Sequence, residues 1–135
     1  MKKSGWSNIK RSSKEDRTSS DGILHASKAE MARWNQLLTL QAAGRIRNLC
    51  RQVSYKLERD DIKILTPTGM VMKYRPDFVY DRPPGDSIGF YPQSFIHPDG
   101  WFEVIEDHKG WQDKAGEMRI AVFEGLHKKK VHIHR

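Results

Sequence analysis

Asp77 and Asp107 are the residues of this chain whose surroundings call for chemistry. Each lies in a stretch that otherwise reads as a β-strand of apolar and aromatic residues: Tyr74–Tyr80, YRPDFVY, and Trp101–Gly110, WFEVIEDHKG. Strand side chains alternate faces, so Asp107 and Lys109 point one way and His108 the other. Pro76 has no N–H and therefore belongs at an edge, bend or bulge, which aims Asp77 toward a cleft. A buried carboxylate that binds nothing is costly, because desolvating a charge opposes folding. Two carboxylates converging beside a lysine thus imply a cation as their partner, and hard oxygen donors suit Mg²⁺. Glu106 falls on the opposite strand face from Asp107 and is read as structural.

The order Pro76-Asp77, then Asp107-His108-Lys109, resembles the signature of the PD-(D/E)XK nuclease superfamily. The flanking residues narrow the resemblance. Ser27-Lys28-Ala29-Glu30 opening a helix, Gly44-Arg45-Ile46 ending it, Gln52 at a strand start, RPDFVY and VIEDHKG are similar to a small phage- and prophage-borne family within it, Holliday-junction-resolvase-like, over roughly residues 22–134. The resemblance implies a restriction-endonuclease-like α/β core, a mixed β-sheet of about four strands flanked by helices. It implies a metal-dependent endodeoxyribonuclease, with Asp77, Asp107 and the His108 carbonyl as ligands of Mg²⁺, Mn²⁺ being the alternative ion. Glu30 would bind the metal or a metal-bound water, and Lys109 would position the attacking water. Asp107 stands where Glu is commoner in the superfamily. A homodimer follows by analogy with junction-cutting enzymes.

The elements that must position these residues read as follows. Ser27 to Ala43 is the clearest helix, with Ser27 as cap, Glu30 completing a capping box, and Gly44 closing it. Glu30 has a capping role on this pattern and a metal role by resemblance, and the two can coexist. Met31, Trp34, Leu37, Leu38 and Gln41 or Ala42 form the expected apolar stripe. Gln52–Arg59 alternates Val53, Tyr55 and Leu57 against polar neighbours, as a half-buried strand does. Ile62–Leu65 extends or re-pairs it, and Pro67-Thr68-Gly69 reads as a hairpin turn. Met70–Tyr80 is the return strand, with Met72, Tyr74, Phe78 and Tyr80 on one face and Lys73, Arg75 and Asp77 on the other.

Four prolines and three glycines make residues 81–100 an irregular insertion loop, proposed to shape the substrate. Within it His97 and Asp99 suit a turn before Gly100 better than a ligand role. A helix follows over roughly residues 113–127, with Ala115, Met118, Val122 and Leu126 as its buried line and Gly116 and Gly125 weakening it. Val131–His134 is a short last strand. His132 and His134 share one of its faces in the manner of a zinc pair, but without a third or fourth ligand nearby zinc is not assigned.

Composition bounds the class. At 135 residues the chain fits one domain, 22–135, with 37% hydrophobic and 30% charged residues. The net charge of +7 and pI near 9.6 favour a polyanionic partner, DNA on the resemblance. Residues 1–21 are basic and poor in apolar residues, which predicts a flexible arm that tracks DNA or merely solvates the terminus. Trp6 is its lone aromatic. Phosphate contacts fall to Lys28, Arg75, Arg119, Lys128, Lys129 and Lys130. One cysteine, Cys50, excludes an internal disulfide and reads as a small core residue. No apolar run is long enough for a membrane helix, so a cytoplasmic, non-membrane protein is expected. No repeat, Gly-rich phosphate loop, Cys-pair zinc site or Ser-His-Asp arrangement occurs. The function that the resemblance implies is Mg²⁺-dependent endonucleolytic hydrolysis of DNA phosphodiester bonds in phage DNA processing, with branched or junction DNA as one candidate substrate and the preferred DNA structure left open. The alternative is a non-catalytic DNA-binding or assembly protein gripping through the arm.

Overall fold

A computed structural model describes residues 13–86, 95–108 and 114–134. The chain divides into two units, residues 1–39 and 40–135.

The first unit contains most of helix α1 (Lys28–Ala42). Ser27 Oγ accepts the Glu30 N–H at 3.1 Å, the expected cap. Ahead of it, residues 13–21 were expected to belong to a flexible arm, and this is corrected. A 3₁₀ turn, Glu15–Arg17, leads into a bridge between Thr18 and Leu24. Polar contacts hold the segment where apolar burial is absent. The buried Arg17 donates to the His25 carbonyl at 2.9 Å, Ser19 bonds Asp21, and Trp34 Nε1 donates to Asp21 at 3.0 Å. Residues 1–12, with Trp6, lie outside the described residues. Trp34 and Leu37 are the buried members of the predicted stripe, and Gln41 and Ala42 are exposed.

The second unit begins with the end of α1. Arg45 N–H bonds the Leu40 carbonyl and Gly44 N–H the Gln41 carbonyl, with Gly44 at φ +75°. This is the Schellman ending that the glycine predicted. The first strand, β1 (Arg47–Arg51), comes earlier than the strand expected from Gln52. Instead of one strand over 52–59 there are two short pieces with different partners, because the chain turns at Asp60 (φ 54°). β2 (Tyr55–Lys56) pairs with β5 (Lys73–Tyr74), and β3 (Glu58–Arg59) pairs with β4 (Ile62–Lys63). The turn at 67–69 forms as read: Gly69 N–H bonds Thr66 O and Thr66 N–H bonds Met70 O.

The main sheet is mixed but largely antiparallel. Its order is β1, β6 (Phe78–Arg82), β8 (Phe102–His108), with β7 (Phe95–Ile96) antiparallel on the far edge of β8. β9 (Val131–His134) runs parallel to β8, reached through helix α2 (Lys114–His127). Residues 81–100 are therefore not wholly irregular: β6 continues through Asp81 and Arg82, and β7 pairs with β8. Backbone pairing on β8 outweighs the local prolines. Asp99 makes the expected turn, accepting the Trp101 N–H at 3.2 Å. Phe90 and Tyr91 lie outside the described residues.

One face of the sheet packs Ile105 and Val131 with Leu57, Tyr74 and Phe123. The predicted buried line of α2 is corrected: Phe123 is its buried centre, flanked by Ile120, Val122 and Leu126, while Met118 is 68% exposed. Cys50 is exposed, not a core residue. Phe78, Tyr80, Phe102 and Val104 are buried on the other face. Tyr74 was expected to share a face with Phe78 and Tyr80. The chain break over residues 75–77 reverses that, placing Tyr74 with Ile105. Among the described residues no helix is long and apolar enough to cross a membrane.

Candidate functional site

The β6–β8 ladder runs Arg82↔Phe102, Asp81↔Glu103, Tyr80↔Val104, Val79↔Ile105 and Phe78↔Glu106. Asp77 directly precedes β6, and its neighbour Phe78 pairs with Glu106, the residue before Asp107. The Asp77 backbone is held there from the other side, its carbonyl accepting the Gln52 N–H at 3.4 Å. Pro76 is fully buried at the break between β5 and β6, which is how the bend turns Asp77 into this position.

Asp107 is 3% exposed, and Tyr74, 4% exposed, donates its hydroxyl to Oδ2 at 2.7 Å. Burial drives the Tyr74 phenol far above its ordinary range, with the charge of Asp107 next and the bond to it after. Asp77 and Glu124 push it in the same direction, so the Tyr74 hydroxyl feels both aspartates. A phenol that never ionises at working pH is a permanent donor. It fixes the Asp107 carboxylate in orientation.

The Asp107 carboxylate opens on a pocket of about 320 Å³ that is also lined by Lys73, Tyr74, Arg75, Gly116 and Arg119. Arg75 and Arg119 are exposed at its mouth. Two of the predicted phosphate contacts are thus brought beside Asp107, and Lys73 joins them. Sequence reading missed both Lys73 and the Tyr74 hydroxyl. The signal was present: Tyr74 stands three residues before Asp77, on the far side of the proline that breaks the strand. The Asp107 carboxylate offers oxygen donors of the kind a hard divalent cation takes, and Lys73, Arg75 and Arg119 keep the pocket attractive to an anion.

The other predicted residues are placed as follows. Glu30, in the first unit, accepts from the Ala26 N–H at 3.2 Å and pairs with His25 Nδ1 at 3.1 Å; His25 is itself buried. Its carboxylate does capping work, reaching the residue before the cap. Lys28, at the start of α1, is exposed. His108 is the last residue of β8, and Lys109 lies outside the described residues. Lys128 is exposed, whereas Lys129 pairs with Glu103 at 3.1 Å and Lys130 with Glu124 at 4.0 Å. On the opposite face of β8, Tyr80 donates its hydroxyl to Glu106 at 2.7 Å. A second polar knot joins the buried Asp81 to Asn48, Arg47 and His97, with Arg47 also forked onto Asp99.

Comparison with known proteins gives no match: no family model fits the chain, and no curated protein or solved structure is significantly similar to it.

Proposed function

We propose that this chain is a Mg²⁺-dependent endonuclease that hydrolyses DNA phosphodiester bonds, with Asp77 and Asp107 as the carboxylates that hold the ion. The observation that carries the reading is Asp107, buried and fixed by Tyr74, lining a pocket with Lys73, Arg75 and Arg119, with Asp77 near enough to act on the same Tyr74 hydroxyl. Carboxylates hold a hard cation, and the surrounding basic side chains receive a phosphate. The resemblance of Pro76-Asp77 and Asp107-His108-Lys109 to PD-(D/E)XK nucleases supports the same roles and a restriction-endonuclease-like core.

Under this reading the His108 carbonyl is a further oxygen donor. Lys109 orients the attacking water and stabilises charge on the scissile phosphate. Arg75 and Arg119, which line the Asp107 pocket, hold the phosphate. Mg²⁺, when bound, supplies Lewis-acid polarisation of the phosphoryl oxygen and a more acidic water. Branched or junction DNA is the proposed substrate class and a homodimer the proposed assembly.

One observation favours a second reading. The same pocket gathers Lys73, Arg75 and Arg119 on one surface without needing an ion, which suits a DNA-binding protein that does not cut. Incubation with branched, single-stranded and linear duplex DNA in Mg²⁺, Mn²⁺ or EDTA separates the two. The nuclease reading expects cleavage of at least one form with metal, none in EDTA, and an Asp107→Asn variant that binds DNA but leaves it whole. DNA left intact in both metals establishes the binding protein instead.

A further inference from the structure

The parallel pairing of β9 on β8 sets Glu106 beside His132, and His134 two residues further along the same face of β9. Donor atoms of Glu106, His132 and His134 all lie within 4.8 Å of one another. We propose that these three side chains form a second metal site, for a zinc-class transition ion, on the sheet face opposite Asp107.

The donor set chooses the ion. Asp77 and Asp107 offer oxygen alone, whereas two imidazoles and one carboxylate match borderline ions such as Zn²⁺ and exclude Mg²⁺. Zinc bonds to nitrogen and oxygen of about 2.0–2.2 Å put tetrahedral ligands roughly 3.4 Å apart, against donor atoms here within 4.8 Å of one another. The histidine rings are already tilted by 56° with centroids 6.4 Å apart, an arrangement that lets both aim at one point. Glu106 is fully buried, which holds its carboxylate still, while His132 and His134 are half-buried and admit an ion and a solvent ligand from outside. Tyr80, also fully buried, donates to Glu106 Oε1 at 2.7 Å. A hydrogen-bonded partner of this kind orients a ligating carboxylate and raises affinity.

Such an ion clamps β9 to β8 through side chains, next to the backbone ladder that already joins them. Glu106 and His132 lie 26 residues apart in sequence and meet only through the crossover of α2. The site is therefore complete only once the parallel pair has formed, and metal stabilises the folded state by mass action.

The test is binding of Zn²⁺ by calorimetry and of Co²⁺ by its visible absorption, on the untagged full chain. Wild type is expected to take up one equivalent, with the strong visible band of four-coordinate Co²⁺, and to melt several degrees higher in Zn²⁺. The double variant His132→Gln, His134→Gln changes half-buried positions and should fold yet bind at least about 100-fold more weakly. Tyr80→Phe should weaken binding about 10- to 100-fold. Asp107→Asn should bind Zn²⁺ as wild type does, which keeps this site distinct from the proposed Mg²⁺ site: either can fail without the other. Absence of uptake by wild type, unchanged binding by the double histidine variant, or loss of binding in Asp107→Asn would each overturn the proposal.

Discussion

Tyr74→Phe is the change that reads the candidate site through stability alone. The ring is kept, and with it the contact to Phe123 at a centroid distance of 4.8 Å. Only the hydroxyl is lost, and it is the group that donates to the buried Asp107 carboxylate at 2.7 Å. A bond to a charged acceptor is worth about 1.5–3 kcal/mol, against about 1 kcal/mol for a neutral one. Asp107 retains other interactions, so the larger penalty of an abandoned buried charge does not apply. The expected loss is thus about 1.5–3 kcal/mol, or very roughly 4 °C of Tm per kcal/mol for a domain of this size. Urea denaturation with an unchanged m-value measures it. A double-mutant cycle with Asp107→Asn assigns it, and should return a coupling of about 1–3 kcal/mol. A loss below about 0.5 kcal/mol, or a coupling near zero, would refute the claim that Tyr74 fixes Asp107.

Three further outcomes follow from the same geometry. Deleting residues 1–20 removes the Arg17, Ser19 and Ser20 bonds and should cost on the order of 2–4 kcal/mol by urea denaturation. Arg75→Ala and Arg119→Ala should each weaken DNA binding and lower the salt slope by about 0.9, read from affinities across a salt series, and an unchanged slope would remove that residue from the phosphate path. Burial first, then the charges of Glu103 and Cys50, push the Tyr55 phenol up to about 12, so the folded chain keeps a proton that the unfolded chain releases near pH 10. That contribution is whole below about pH 10 and is lost as the pH climbs through about 12; the urea midpoint should fall across this window, and less so in Tyr55→Phe.

How much of this was legible in the sequence depends on what signal each element carries. Helix α1 announces its ends through the Ser27 cap and the Gly44 stop, and α2 and β9 fall close to the ranges read from the sequence. Pro76 likewise foretold the break that turns Asp77. Strand β1, RNLCR, gave little warning, because only Leu49 and Cys50 are apolar and Asn48 at φ 56° disturbs the pairing register. Residues 13–21 were misjudged because polar bonds hold Arg17, Ser19 and Asp21, and a count of apolar residues cannot see them. The face of Tyr74 was misassigned because alternation was carried straight through residues 75–77. Glu106 could not be joined to His132 and His134 from spacing, since parallel pairing through a helix brings together residues with no local pattern in common.

Everything proposed for the reaction depends on Asp77 and Asp107 holding one divalent ion between them. Mn²⁺ binding followed by electron paramagnetic resonance tests this most directly. Wild type should deplete the free Mn²⁺ signal with one site per chain. Asp77→Asn and Asp107→Asn should each weaken that site by on the order of 100-fold, while the double variant loses nothing further that a second ion would explain. Mn²⁺ bound equally well by wild type and by the double variant would contradict it.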